Sequence, residues 1–62
     1  MKIKEFSNGA WTVFERTPTS GMYVVKLYNP TGNLADKVVC DDYQNARDYL
    51  RAFNATAKNN YK

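Results

Sequence analysis

The pattern of apolar and polar positions divides the chain into a β-rich first part and one amphipathic helix. From Asp41 to Lys58, apolar side chains recur at helical spacing and form a single stripe. The stripe consists of Tyr43, Ala46, Tyr49, Leu50, Phe53 and Ala57. Asp41 or Asp42 is placed to cap the first turn, and Asp41 with Gln44 fits a capping box. Because an apolar stripe must be buried, we expect the helix to pack on the strands before it.

Before the helix, short β-prone segments alternate with turn residues. The predicted strands are 2–6, 10–16, 22–28 and 37–40, and a start of the last strand at Leu34 stays open. Asn8-Gly9 predicts a two-residue type I′ hairpin turn, since both residues accept a positive φ. Thr17 to Gly21 reads as a loop. A turn over Asn29 to Gly32 is expected because Pro30 presets φ at its second position.

The resulting order, β-β-β-β-α, predicts an α+β fold with three or four antiparallel strands and a helix packed on one face. Residues 1–58 form one small domain in this interpretation, and residues 59–62 form a frayed polar tail. Whether residues 2–6 join the sheet stays open.

Side chains alternate along each strand, so every strand contributes to two faces of the sheet. With a tight first turn, Phe6 lies opposite Trp11, Lys4 opposite Val13 and Ile3 opposite Phe14. The set expected to face the helix is Trp11, Val13, Tyr23, Val25, Leu27, Val38 and Cys40. The opposite set is Thr12, Phe14, Arg16, Met22, Val24, Lys26, Tyr28, Lys37 and Val39.

The face opposite the helix has nothing to cover it in this arrangement. Apolar and aromatic side chains would then be exposed among basic ones, which favours a partner-binding surface. The alternative is that the assumed register is wrong, and scattered apolar side chains on a surface need no explanation.

Composition sets limits on the class of protein. The chain has 62 residues, 44% of them hydrophobic, which suffices for a compact core and argues against intrinsic disorder. A formal net charge of +3 permits an anionic partner without demanding one. There is no apolar run near the ~20 residues that a membrane span needs, and no signal-peptide pattern. We therefore expect a cytoplasmic protein, or one in the host cytoplasm if a phage encodes it.

Catalytic equipment is sparse. The chain has no His, and its single cysteine, Cys40, is expected to be a small buried hydrophobe. Asp36, Asp41 and Asp42 lie close in sequence, but their spacing matches no calcium loop, and helix capping explains two of them better. No phosphate-binding loop or nucleophile motif occurs. The sequence predicts a non-enzymatic protein without cofactor, metal or small-molecule substrate.

Several positions follow a recurring order of strand, turn and helix. Trp11 and Val13 match an opening strand, and Tyr23, Val25 and Leu27 match a central one. Asn29 to Gly32 matches a hairpin turn, Asp42 a helix cap and Ala46 a small helix residue, and Tyr49 with Leu50 matches the group that closes the core. In this order the segment from Trp11 to Phe53 resembles DNA-binding domains built from a three-stranded sheet and a helix. Examples are the plant ethylene-response-factor domain and the arm-binding domains of phage and transposon integrases. A small bacterial family of uncharacterised repeats has similar spacing. Cys40 departs from the DNA-binding families, which usually carry an aromatic residue there.

The resemblance implies binding of double-stranded DNA, with the outer sheet face in the major groove. Carried over, the contacts would come from Arg16, Lys26 and Lys37, with Phe14 and Tyr28 beside them, although those families place more Arg on these strands. The first hypothesis is therefore a DNA-binding module that uses the outer sheet face, with Arg47 and Arg51 of the helix as additional candidate contacts. The second is a protein-binding inhibitor or adaptor, of the kind that phages and mobile elements encode, or a homodimer. Both hypotheses use one candidate site: Phe14, Arg16, Val24, Lys26, Tyr28 and Lys37.

Overall fold

A computed structural model describes residues 1–18 and 21–61, so Thr19 and Ser20 of the predicted loop, and Lys62, lie outside the described residues. The elements are β1 (Lys2–Glu5), β2 (Trp11–Arg16), β3 (Tyr23–Tyr28), β4 (Leu34–Cys40) and α1 (Tyr43–Asn60). The strands form one antiparallel sheet in the order β1-β2-β3-β4. The predicted α+β fold is confirmed, and β1 joins the sheet as its first strand.

The turn between β1 and β2 is longer than predicted. The amide of Gly9 donates to the carbonyl of Phe6 at 3.0 Å, and the amide of Phe6 donates to the carbonyl of Ala10 at 2.9 Å. These bonds enclose a three-residue loop with a glycine bulge, and Gly9 takes the required φ of +96°. The prediction of a two-residue type I′ turn is wrong, because no described residue other than glycine has a positive φ.

The turn between β3 and β4 uses the same arrangement and matches its prediction. The amide of Gly32 donates to the carbonyl of Asn29 at 2.9 Å, and Gly32 has a φ of +94°. The side-chain Oδ1 of Asn29 accepts from the amides of Thr31 and Asn33. Pro30 occupies the second turn position, where its fixed φ is favourable.

The longer first turn shifts the register of the first hairpin. Ile3 pairs with Val13 and Lys4 with Thr12, one residue away from the predicted pairs. A shift of one residue exchanges the two faces of a strand. The next pairing settles which face of β2 is which, because Phe14 lies opposite Val25, a core residue beneath the helix.

The two faces predicted for β2 are therefore exchanged in the structure. Phe14 and Arg16 lie on the side of the helix, whereas Trp11 and Val13 lie on the outer face. Apolar residues occur at both odd and even positions of this strand, so alternation alone does not choose between the two faces. For β3 and β4 the predicted faces are confirmed by the core, which contains Val25, Leu27 and Cys40 and is flanked by Tyr23 and Val38.

The core lies between the sheet and α1. Its buried members are Ala10, Val25, Leu27, Cys40, Ala46, Phe53 and Ala57. Of the predicted helical stripe, Leu50 is half-buried, and Tyr43 and Tyr49 are about half exposed, at 50% and 45%. The helix packs most closely on β3, with contacts to β2 and β4, and it does not reach β1. The edge of the sheet at β1 is therefore left uncovered on the helix side.

Both ends of α1 are held by specific hydrogen bonds. Asp42 is the N-cap, and its Oδ2 accepts from the amide of Asn45 at 3.1 Å, so the cap is Asp42 and not the Asp41 capping box. The helix continues past Lys58 to Asn60, and Tyr61 packs against the core. The helix therefore extends two residues past the predicted boundary at residue 58.

Asn8 joins the first turn to the end of the helix. Its Nδ2 donates to the carbonyl of Ala57 at 2.8 Å and to the carbonyl of Tyr61. Its Oδ1 accepts from the amide of Ala10 at 2.9 Å. All three bonds are made by one side chain in a loop, so the hairpin and the last turn of the helix are fixed to each other.

Candidate functional site

The six residues predicted as a site do not share one surface. Val24, Lys26 and Tyr28 lie on the outer face together with Lys37, which pairs with Lys26 across the strands. Phe14 and Arg16 lie on the opposite face, beside the helix. Val24 is also buried, with 8% of its surface exposed. The predicted combination of aromatic and basic side chains on the outer face is therefore only partly present.

The outer face is electrically balanced. Lys26 Nζ lies 3.2 Å from Glu15 Oε1, which makes it a poor candidate for a free phosphate contact. Lys37 is the second cation of this face, and Glu5 is its second carboxylate, since Glu5 pairs with the outward-facing Trp11. Two positive and two negative side chains leave no net formal charge.

The apolar part of the outer face is partly self-covered. The rings of Trp11 and Tyr28 stack with centroids 4.9 Å apart and planes inclined by 12°. Val13 is buried, with only 6% of its surface exposed, although no helix covers it. Neighbouring side chains of the sheet therefore shield it. Leu34 and Val39 remain exposed at 50% each.

A groove lies on the other side of the sheet, between β1 and α1. It encloses about 340 Å³ and exists because the helix does not reach β1. We call it the β1–α1 groove; its lining residues are Lys2, Ile3, Lys4, Thr12, Phe14, Leu50 and Asn54. Its volume is at the lower end of the range for small-molecule sites, roughly 300–1,000 Å³.

The floor of the groove combines a satisfied polar pair with two apolar side chains. Thr12 is 1% exposed, and its hydroxyl donates to Asn54 Oδ1 at 2.6 Å. Because this hydroxyl is paired, it costs little to bury. Phe14 and Leu50 are half-buried, so each offers apolar surface to the groove.

Basic side chains border the groove on both sides. Lys2 and Lys4 lie on β1 and belong to its lining. On α1, a ridge of residues spaced by four, three and four positions runs along the groove, because side chains three and four apart are neighbours on a helix. This ridge contains Arg47, Arg51, Asn54 and Lys58, of which Asn54 lines the groove.

Arg16, on the same face of the sheet, completes a set that we call the basic rim: Lys2, Lys4, Arg16, Arg47, Arg51 and Lys58. All six side chains are exposed. Within residues 1–18 and 21–61, the pair of Lys26 and Glu15 on the outer face is the only ion pair. No carboxylate of these residues therefore lies within 4.0 Å of a rim cation.

Three aromatic rings pack together beside Arg16 and Arg47. Phe14, Tyr23 and Tyr43 have centroids 5.5 to 6.1 Å apart. The Cζ of Arg16 lies 5.9 Å from the ring centroid of Tyr23, and the Cζ of Arg47 lies 5.9 Å from that of Tyr43. Contact with a ring face attracts a guanidinium and restricts its orientation. Two rim cations are therefore held in place by the aromatic cluster.

The carboxylates lie elsewhere. Glu5 and Glu15 are on the outer face, Asp36 is on β4, and Asp41 and Asp42 precede the helix. Asp48, on α1, accepts a hydrogen bond from Gln44 Nε2 at 3.2 Å. Six of the eight basic residues that the structure describes thus lie on the helix side of the sheet, and two of these, Lys2 and Lys4, line the groove. None of the groove-lining residues is acidic.

The sequence suggested Arg47 and Arg51 as additional contacts but gave no reason to combine them with Lys2 and Lys4, although the spacing of each pair is visible. Lys2 and Lys4 alternate with period two, and Arg47 and Arg51 are four apart. The two pairs are more than forty residues apart in the chain. Only the pairing of β1 and the position of the helix bring them to one groove.

The remaining chemistry of the described residues is sparse. They contain no group of three or more His, Cys, Asp and Glu side chains placed to hold a metal ion. Cys40 is buried in the core, with 7% of its surface exposed. No helix formed by residues 1–18 or 21–61 is long and apolar enough to cross a membrane.

Comparisons of this chain with protein-family models, with curated proteins and with solved structures found no match. The resemblance to three-stranded-sheet DNA-binding domains stays a prediction.

Proposed function

We propose that the protein is a non-enzymatic nucleic-acid-binding module and that the basic rim, rather than the outer sheet face, contacts the phosphates. One observation supports this most directly: six exposed cations without carboxylate partners among the described residues lie on the helix side of the sheet, and two of them, Lys2 and Lys4, line the β1–α1 groove. A cluster of one sign of charge raises the local concentration of an oppositely charged polymer. On the outer face the charges cancel, and Lys26 is already paired.

The expected strength of binding follows from the number of phosphate contacts. Each neutralised phosphate releases counterions and contributes about −0.9 to the slope of log K against log salt for a duplex, or about −0.7 for a single strand. If all six rim cations take part, the slope is about −4 to −5. Binding is then strong at low salt and falls steeply as salt is added.

The test compares two charge reversals of equal size. Arg51→Glu changes the rim and Lys37→Glu changes the outer face; both side chains are exposed, and each substitution lowers the net charge by two. Fluorescence anisotropy with labelled DNA and RNA at several salt concentrations measures affinity. We expect Arg51→Glu to weaken binding by about tenfold, and Lys37→Glu by less than about twofold.

Equal effects of the two reversals, or a larger effect of Lys37→Glu, would assign binding to the outer face or to net charge alone. Absence of binding by the unaltered protein at low salt would overturn the proposed function.

A second candidate function is favoured by the outer face. Leu34 and Val39 are each 50% exposed there, on a surface without net charge, which suits an apolar contact with a protein. This candidate includes a homodimer. Val39→Asp should then abolish the association, whereas Arg51→Glu should leave it intact, and light scattering over a range of protein concentrations detects the homodimer.

A further inference from the structure

The β1–α1 groove has two lysines on its β1 wall, Lys2 and Lys4, and apolar surface on its floor. On α1, Arg51 and Lys58 are helix neighbours of the lining residue Asn54. We infer that its ligand is a single strand of nucleic acid, with bases against Phe14 and Leu50 and phosphates between the two walls. This inference rests on the proposed function and adds the form of the nucleic acid. It also assigns the binding to a groove that lies on the opposite side of the sheet from the predicted site.

The charges occupy the two sides that a strand would pass between. Lys2 and Lys4 form the wall on β1, while Arg47, Arg51 and Lys58 lie along the helix. A polymer chain with one negative charge per nucleotide is complementary to this arrangement along its whole length. Proteins that bind single strands commonly combine a positive groove with exposed rings on which bases stack.

The floor of the groove distinguishes a single strand from a duplex. In a duplex the bases are paired and stacked inside, so their faces cannot reach Phe14 or Leu50 between two walls of side chains. An unpaired base can turn its face toward the half-buried ring of Phe14. Such stacking strengthens binding and tolerates any sequence, because every base has a π-face.

The aromatic cluster provides a second contact of the same kind. Tyr43 is 50% exposed and packs against Phe14 with ring centroids 6.1 Å apart. Arg47 lies over Tyr43, so a planar cation and an exposed ring are adjacent at the wall of the groove. A guanidinium held beside a ring in this way can donate to a phosphate or stack on a base.

An acidic peptide would match the charge but not the floor. Carboxylate side chains offer no aromatic face for Phe14, and they would leave the apolar surface of the groove without a partner. The peptide therefore serves as a competing ligand in the test.

The first measurement compares equal lengths, about 12 nucleotides, of labelled single-stranded DNA, single-stranded RNA and duplex DNA at one salt concentration. Polyglutamate of similar length serves as an unlabelled competitor. We expect at least one single strand to bind about tenfold more tightly than the duplex, and polyglutamate to compete weakly. The DNA and RNA strands show whether the sugar matters.

The second measurement uses a pair of matched substitutions. Phe14→Leu removes the ring at the groove floor, and Tyr28→Leu removes a ring on the outer face. We expect Phe14→Leu to weaken single-strand binding by about tenfold and duplex binding by much less. Tyr28→Leu should leave both affinities nearly unchanged. Circular dichroism during heating verifies that each variant is folded under the binding conditions.

Lys4→Glu keeps the test decisive if Phe14→Leu proves unstable. Lys4 is exposed on β1, so its reversal disturbs the fold little, and it should weaken single-strand binding as much as Arg51→Glu does. An effect of Arg51→Glu without one of Lys4→Glu would place the ligand on the helix alone and overturn the groove.

Trp11 is the only tryptophan, and it lies on the outer face against Tyr28, so its fluorescence reports on that face. Binding in the groove should leave its emission nearly unchanged, whereas quenching by a bound strand would place the ligand on the outer face and overturn the groove. Equal or tighter binding of the duplex would overturn the single-strand inference and leave the proposed function standing. Tighter binding of polyglutamate, or no binding of any nucleic acid, would overturn both.

Discussion

The two faces of the sheet use charge in opposite ways. On the outer face, Lys26 and Lys37 are matched by Glu5 and Glu15, and Lys26 forms an ion pair with Glu15. On the helix side, the six side chains of the basic rim have no carboxylate partner among the described residues. The net charge of +3 conceals this difference, because it averages over both faces and the helix.

The difference teaches that the distribution of charge, more than its sum, identifies a candidate surface. Like charges placed close together repel one another and oppose compaction. In the aromatic cluster, Arg16 and Arg47 are nevertheless held on the faces of neighbouring rings, which themselves pack together. A repulsive cluster on a rigid scaffold is what an anion-binding surface requires.

The largest expected effect is a loss of stability, and it compares a side chain packed beneath the helix with one exposed on the outer face. Phe53 is 7% exposed in the core, whereas Val39 is 50% exposed on the outer face. We expect Phe53→Ala to lower the free energy of unfolding by about 3–5 kcal/mol, because it removes buried atoms and leaves a cavity. Val39→Ala should cost less than ~1 kcal/mol. Urea denaturation of both variants measures the contrast, and similar costs would mean that the helix is not docked on this face.

An intermediate effect is expected at the groove floor, where a polar pair is buried. Asn54→Leu leaves the buried Thr12 hydroxyl without its partner, and a leucine of similar size keeps water out, so we expect a loss of about 1–3 kcal/mol. Adding Thr12→Val removes the orphaned hydroxyl and should recover part of the loss. The two single variants and the double variant form a cycle whose coupling energy is measured by denaturation. A coupling near zero would contradict the hydrogen bond.

The smallest effect is expected from the ion pair of the outer face. Glu15→Gln should change stability by less than ~1 kcal/mol, since both partners are partly exposed to solvent. The substitution also frees Lys26 and gives the outer face a positive charge. Nucleic-acid affinity should nevertheless rise by less than about twofold, apart from the long-range effect of one added charge. A larger rise, measured by anisotropy, would bring the outer face into the binding surface and weaken the contrast between the two faces.

Much of the fold could be predicted because local patterns agree with it. The helical stripe, the turn at Asn29–Gly32 and the alternation of β3 each depend on neighbours in the sequence, and the structure confirms them. The first hairpin failed for an identifiable reason. Asn8-Gly9 fits a two-residue turn in isolation, but the Asn8 side chain is engaged by the distant carbonyl of Ala57.

The candidate site depended on which face of β2 meets the helix, and alternation along β2 does not determine that face, so the site was predicted only in part. With β2 inverted, Phe14 and Arg16 move to the side of the helix, while Lys26 and Lys37 remain outside. The ion pair that occupies Lys26 joins two strands, and no local pattern shows it. The groove arises from the lateral position of the helix on the sheet, which periodicity does not determine.

The hydrogen bonds of Asn8 have a consequence for how the chain folds. They join positions 49 and 53 residues apart, so they close almost the whole described chain into a ring. Chains rich in such distant contacts fold more slowly than chains of similar size with local contacts. The reason is that the chain loses the entropy of loop closure before the distant contacts form and stabilise it. The entropy of closure grows only slowly with loop length, by about 0.6 kcal/mol per doubling, so the delay carries little penalty in final stability. The first turn can therefore form early by itself, but the hydrogen bonds from Asn8 to Ala57 and Tyr61 cannot form until the end of the helix is docked.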